Sequence, residues 1–389
     1  MRVLTISIIF PSQKSPGTGV FVQQRAAHLP SEFDVEVWRP RPWFPFSGFK
    51  NPLQKSGFPK QEEVGGLSVR DMRFFYTPGV FKHLDSHFLA RKLQKELKSL
   101  PQLPDLLDAH FAYPTGHAAV LAGAALGIPV TITLRGTLPS YLLDGRRQKM
   151  KEALLRANQV MAVSESLAIL ARELAGSDLS VRVIPNGIDT RLFSPGNLLD
   201  ARNRLSLPKD RKILLTVGGL VPRKGAHRVI EVLPDLLADR PDALYLFVGG
   251  GGVEGDYGTE LRRLMVNAGC ERQVKLMGEV KHEQLVDYYR AADLFVLATS
   301  NEGWANVIQE SLACGTPVVA TDVGGNKEVV GSKNHGLIVP FGDRLALGHA
   351  LRNGLSTPWD HEAIAAWGGR CDWNEVGVSV GAVFREAAN

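Results

Sequence analysis

Residues 302–325 read EGWANVIQESLACGTPVVATDVGG and follow the apolar run Leu294–Leu297 across a short polar loop. The run is strand-like, a helical pattern opens near Asn306, and residues 317–320 return to a short apolar run, giving strand, loop, helix, strand. That succession builds a parallel sheet covered by helices, and such sheets bind ligands beyond the C-terminal ends of their strands. Glu302 lies in the loop at such an end. Glu310 falls about two turns along the helix, so both can face one elongated ligand. The backbone N–H groups of Gly303, Trp304, Ala305 and Asn306 stand at the helix start, where unpaired donors and the helix dipole favour a diphosphate. Carboxylates on either side would accept hydroxyl hydrogen bonds from a sugar and a ribose. By spacing alone, two glutamates on a solvated helix read the same way.

Outward from this block the alternation continues along the chain. Strands are expected at 3–10, 35–38, 67–75, 106–111, 130–134, 160–164 and 181–185, and again at 213–217, 244–248, 274–277, 294–297, 317–320 and 336–339. The fold class is therefore α/β, doubly wound. A turn-rich stretch at 186–195, without helical or strand period, reads as the link between two domains. A chain of 389 residues is long enough for both.

The second anion signal is Gly218-Gly219-Leu-Val-Pro-Arg223-Lys224-Gly225, after one strand and before a helix pattern that begins at Ala226. Arg223 can fork onto phosphate oxygens and Lys224 adds a point charge, which together would stabilise a departing nucleoside diphosphate. Two solvated surface cations are the alternative. In the first half, His110 stands at the C-terminal end of an expected strand, the place of a cleft residue or of a packed histidine. Gly19, in the Pro16–Val20 turn, permits close approach of backbone to a phosphate or sugar. Arg135, again after a strand, suits an anionic acceptor, a phosphate, or plain solvent. Residues 250–255 fit a dinucleotide fingerprint formally, but Lys275 stands where the acidic partner is required. No Walker A sequence and no metal-ligand spacing occurs, so neither ATP hydrolysis nor a resident metal is expected.

Three cysteines, at 270, 314 and 371, make no disulfide framework and point to a reducing cytoplasm. The first ten residues are too short and too lightly charged for a secretory signal, and no segment approaches a membrane span. Residues 1–185 carry 23 Lys+Arg against 15 Asp+Glu, while the remainder carries 22 against 25, so the basic excess belongs to the first half. Residues 38–60, WRPRPWFPFSGFKNPLQKSGFPK, show no period and read as a long loop. Trp43, Phe44, Phe46 and Phe49 interleaved with Arg39, Arg41 and Lys50 suit peripheral contact with an anionic membrane surface, or else plug the domain's own core.

Taken together, Gly17–Val22, 108–116, Arg135-Gly136, 163–166, 184–189, 217–225, 278–280 and above all 302–325 resemble glycosyltransferase family 4, in order and along nearly the whole chain. DAHFAYPTG with RPRPWFPF is similar to the branch that contains teichuronic acid biosynthesis transferases. The resemblance implies a GT-B fold of two Rossmann-like domains. The acceptor domain would span 1–185, joined by a returning C-terminal helix at about 365–389, and the donor domain 186–364. It also implies a retaining, metal-independent transfer of a sugar from a nucleotide-diphosphate sugar, UDP first and GDP second, to a lipid-linked or polysaccharide acceptor. By resemblance Glu302 contacts the donor sugar, Glu310 the ribose, and Arg223 and Lys224 the diphosphate. Gly219 and Gly19 belong to phosphate-facing loops, and His110 faces the reacting sugar. Arg135 stands where relatives often have histidine.

A nucleotide-sugar epimerase of the same architecture and a non-catalytic nucleotide-sugar-binding scaffold are the competing readings. Nucleic-acid binding ranks last, since no recognised module accompanies the basic charge.

Overall fold

The computed structural model describes residues 1–44, 60–77, 81–136, 145–251 and 256–389. The chain divides into two compact units, Met1–Gly187 with Trp373–Asn389, and Ile188–Asp372.

The first unit holds β1 (Arg2–Ile6), β2 (Asp34–Trp43), β3 (Gln61–Val64), β4 (Leu67–Phe75), β5 (Leu106–His110), β6 (Val130–Leu134), β7 (Gln159–Ala162) and β8 (Arg182–Val183). They form one sheet in the order β3-β4-β2-β1-β5-β6-β7-β8. Every neighbouring pair is parallel except β3 and β4. In the second unit β9 (Lys212–Val217), β10 (Ala243–Val248), β11 (Val274–Gly278), β12 (Leu294–Leu297), β13 (Val318–Thr321) and β14 (Gly336–Val339) make a parallel sheet in the order β11-β10-β9-β12-β13-β14. Strands such as β5 and β10 are buried along their whole length, as continuous apolar runs covered on both faces by helices must be. In each sheet the strand order reverses beside the first strand, between β1 and β5 and between β9 and β12. These reversals are the switch points at which doubly wound sheets leave a crevice for ligand.

β1, expected over 3–10, ends at Ile6, and two further elements differ from expectation. Residues 38–43, read as part of an aperiodic loop, continue β2 through Trp43, in register with Arg70–Phe75 of β4. Two prolines normally argue against a strand, but β1 pairs with β2 only as far as Trp38. Pro40 and Pro42 share Trp38's side of the strand by alternation, so their missing N–H groups fall on the edge that β1 has already left. Arg39 and Arg41 are buried. Arg39 is held by Asp71, Glu62 and the Pro11 carbonyl, and Arg41 Nε donates to Asp71 at 2.8 Å. These two cations therefore neutralise buried carboxylates and offer nothing to a membrane. Trp43 is 42% exposed and Phe44 lies 5.8 Å from the Phe75 ring. Phe46, Phe49 and Lys50 lie outside the described residues. The second difference is β3, which pairs back on β4 through Gly65-Gly66, both at positive φ, the backbone that a two-residue hairpin turn demands.

The helix Trp373–Ala388 packs on the first unit. Val376, Val380, Val383 and Phe384 join Val3, Leu106 and Met161 in one buried cluster. The approach is close: a Cβ on Gly377 would lie 1.8 Å from the His28 carbonyl oxygen. Among the described residues no helix is long and apolar enough to cross a membrane.

Candidate functional site

At the switch point of the second unit, the turns after β9 and β12 meet. Gly225 makes this contact possible: at φ +79 it ends the turn Pro222–Lys224 and its Cα lies against the Ala298 carbonyl, where a Cβ would stand 1.8 Å from the oxygen. Ser300 N donates to the Arg223 carbonyl at 2.9 Å, tying the two turns together. As a result Lys224 Nζ lies 2.7 Å from Glu302 Oε1, with Arg223 Nη1 at 3.5 Å and the Thr299 hydroxyl at 3.2 Å from the same oxygen. The Lys224 stem runs over Gly218, whose missing Cβ would sit 3.3 Å from Lys224 Cε. Gly219 has open space where its side chain would be. The chain passes back over the loop at Gly324, φ +50, where a Cβ would be 1.7 Å from the Glu302 carbonyl oxygen.

The loop Gly303, Trp304, Ala305 leads into the helix Asn306–Ala313, whose N-cap, Ala305, supplies no side-chain bond. Trp304 Nε1 donates to Gln309 Oε1 at 2.9 Å, fixing the loop on the helix. Glu310 is buried and accepts from the Tyr289 hydroxyl at 2.7 Å; His282 Nε2 lies 3.5 Å from its other oxygen. The two glutamates thus belong to separate clusters, Glu302 with the cations and Glu310 with Tyr289 and His282. Glu310 raises the His282 pKa above its ordinary value. Burial, with Glu310 beside it, pushes the Tyr289 phenol well up. Tyr289 and His282 carried no motif in the sequence.

In the first unit His110 ends β5 and is fully buried. Both ring nitrogens are engaged: Nε2 lies 3.1 Å from Asp108 Oδ2, and Arg135 Nε donates to Nδ1 at 2.7 Å. The proton therefore sits on Nε2. Burial lowers the His110 pKa to about 4; Asp108 opposes that shift and Arg135 and Arg25 add to it. Gly19, at φ +77, caps the helix Val20–Ala27, and a Cβ there would stand 2.6 Å from the Ile9 carbonyl oxygen. Asp108 entered the sequence reading only as the first residue of the segment 108–116, and Arg25, which completes the buried network, drew no notice because it sits in no spacing pattern. Among the described residues no group of three or more His, Cys, Asp or Glu is placed to hold a metal ion.

Two doubly wound units, one with paired cations and a carboxylate at its switch point, define the GT-B class. Solved structures share the fold. Sucrose-phosphate synthase from Thermosynechococcus elongatus superposes with a TM-score of 0.78 at 22% identity, covering 99% of this chain and 98% of that one. Anabaena HepE in complex with UDP gives 0.75 at 21%, covering 99% and 100%. Residues 17–192 match the Glycosyltransferase Family 4 domain and residues 199–366 the Glycosyl transferases group 1 domain. A Bacillus subtilis glycosyltransferase, TuaC, assigned to teichuronic acid biosynthesis, is 34% identical over 375 residues, 94% of this chain and 90% of that protein. The D-inositol 3-phosphate glycosyltransferase of Acidothermus cellulolyticus is 29% identical over 99% of this chain and 90% of its own length. The chain belongs to glycosyltransferase family 4.

Proposed function

We propose that the protein transfers a sugar, with retention of anomeric configuration and without a metal, from a UDP-sugar to a lipid-linked or polysaccharide intermediate of cell-surface glycan synthesis. The observation that carries this reading is the convergence of Arg223, Lys224 and Glu302 at the second unit's switch point, with Glu310 on the helix that follows the Glu302 loop. Arg223 and Lys224 take the diphosphate, Glu302 the sugar hydroxyls and Glu310 the ribose. The bond from the sugar's anomeric carbon to the diphosphate oxygen breaks. The acceptor oxygen bonds to that carbon on the same face and passes its proton to the leaving phosphate. The two cations stabilise charge growing on the diphosphate, in a site whose geometry is already set. His110, held neutral, and Gly19 serve the first unit's side of the reaction. UDP is favoured because HepE was solved with UDP and with UDP-glucose. An envelope acceptor is favoured by the likeness to TuaC. Contact with an anionic membrane face is supported by the basic excess of the first half and exposed Trp43; flotation with anionic but not neutral vesicles is the expected result.

The test is a thermal-shift screen of UDP, GDP, ADP and their sugars with and without magnesium, on wild type and Glu302→Gln, followed by NMR of the product's anomeric carbon. Binding that is indifferent to magnesium, with a product of retained configuration, is expected. Turnover of donor alone to a new nucleotide sugar would instead identify an epimerase, and binding without turnover a scaffold.

A further inference from the structure

One face of the first sheet changes character along its strands. Near the N-terminal ends of β1 and β5 it is apolar, with Val3 and Leu106 under the helix Trp373–Ala388. Two residues further along it carries Thr5, Asp108 and, from β6, Thr131, and beyond these His110, Thr133 and, from β7, Met161, all buried. Arg25, from the helix Val20–Ala27, reaches into this layer and is itself buried, donating to Thr133 Oγ1 at 2.6 Å with Asp108 Oδ1 3.7 Å from Nη2. Arg135, from the end of β6, lies across the top of it. Its Nε is spent on His110 and its Nη1 on Asn186 Oδ1 at 2.7 Å, and its guanidinium sits 5.0 Å from the centre of the Phe21 ring.

The charges here do not balance. Among the described residues two guanidinium groups share a single carboxylate, Asp108, and neutral His110 adds no charge. The N–H groups do not balance either: Arg135 Nη2 and Arg25 Nε are buried and make no hydrogen bond among the described residues. A buried charged donor without a partner is costly and calls for a physical reason. Phe21 belongs to the first turn of Val20–Ala27, so that helix's N-terminus stands beside Arg135; the turn holds no acidic residue, and its dipole adds to the positive field. Position supplies the third point, since Arg135 follows β6 and His110 ends β5 at the edge where parallel sheets meet their ligands.

We propose that Arg135 reads an anionic group, a phosphate or carboxylate, on the acceptor substrate, an inference that rests on the reading of the first unit as the acceptor's. The anion pairs with the guanidinium edge that carries Nη2, and it supplies the negative charge the layer lacks. A planar fork suits either group. Because the same guanidinium holds His110 Nδ1, anion binding also changes the field at His110, making charge on the acceptor a condition for a correctly set His110.

The experiment uses the full chain and three probes, inorganic phosphate, glucuronate and glucose, each against chloride at equal ionic strength. Thermal shift and calorimetry are read on wild type, Arg135→Gln, Arg135→Lys and Arg223→Gln, with UDP titrated in parallel. Phosphate or glucuronate, but not glucose, should stabilise wild type and Arg223→Gln. Affinity should fall about 10-fold to 100-fold in Arg135→Gln, less in Arg135→Lys, with UDP affinity unchanged in both. Loss of the phosphate effect in Arg223→Gln but not in Arg135→Gln would assign the anion to the donor's diphosphate and overturn the proposal, as would a wild type indifferent to phosphate and glucuronate. Should Arg135→Gln fail to fold, the His110 ring signals of wild type decide: phosphate shifts them if the proposal holds, and unmoved signals refute it. A wild type that takes phosphate but no nucleotide would sink the transferase reading and leave the anion site standing.

Discussion

Replacing Glu310 by alanine separates its two roles. Its carboxylate accepts from the buried Tyr289 hydroxyl at 2.7 Å, so truncation strands that hydroxyl at a cost of about 1–3 kcal/mol of stability. If the carboxylate also accepts from a ribose hydroxyl, its loss removes a charged hydrogen bond of about 1.5–3 kcal/mol, or about 10-fold to 150-fold in nucleotide affinity. Tyr289→Phe is the control. It deletes the buried partner while the carboxylate stays, so stability should fall by about 1 kcal/mol and affinity by much less than in Glu310→Ala. Calorimetric titration with UDP, alongside urea unfolding, reads both quantities. If Glu310→Ala lost stability yet bound UDP within about twofold of wild type, the glutamate would be a structural partner of Tyr289 and the ribose assignment would be wrong.

Other outcomes follow from the same geometry. Gly225→Ala places a Cβ 1.8 Å from the Ala298 oxygen at φ +79; strain and clash together should cost more than about 2 kcal/mol, seen as lost soluble yield, and a normally folded variant would contradict the close contact. His117 is buried, with Nδ1 2.9 Å from Ser86 Oγ, and burial lowers its pKa to about 4. Unfolded histidine binds its proton near 6.5, so between that value and 4 the unfolded state holds more protons and stability falls with falling pH. About 3 kcal/mol is at stake at His117, and a melting temperature flat across this range would refute it. His282 is the opposite case, its pKa raised by Glu310. Its stabilising contribution is complete below 6.5 and is lost as pH rises through the folded value, so His282→Gln should differ from wild type at pH 5.5 and converge with it in alkali. Ending the chain at Asp372 removes Val376, Val380, Val383 and Phe384 from the first unit's core; limited proteolysis should then digest residues 1–187 while the second unit resists.

Much of this was legible because apolar runs are the direct signature of strands buried on both faces. β6, β12 and β14 fall on their expected residues, and the block 302–325 fixed the loop and helix that carry both glutamates. β2 beyond Trp38 was not legible. Arg39, Pro40, Arg41 and Pro42 look wrong for a strand until it is known that β1 stops short and that Asp71 and Glu62 wait opposite the arginines, and both facts depend on residues far away in sequence. The hairpin at Gly65-Gly66 did carry a local signal, two glycines just before the expected strand 67–75, but residues 61–64 were assigned to no strand. Lys224 could be named as a cation beside a phosphate, but its 2.7 Å contact with Glu302 is set by Gly225 meeting Ala298, a tertiary fact. The neutral state of His110 likewise depends on its burial and on Arg135 and Arg25, which arrive from other elements.

The first unit is made from both ends of the chain, and this sets an order of manufacture. On a ribosome that emits residues from the N-terminus, Met1–Gly187 emerges early but lacks the helix that covers Val3 and Leu106, and it stays without that cover while all of Ile188–Asp372 is made. The second unit, continuous in sequence, has its whole core before the first does. Protease resistance of nascent chains should therefore appear first in the later-made unit, and the first should gain it only when Trp373–Asn389 is free of the exit tunnel. A message cut short before Trp373 yields a complete second unit beside an unfinished first, so an incomplete copy is marked for degradation by its own exposed sheet.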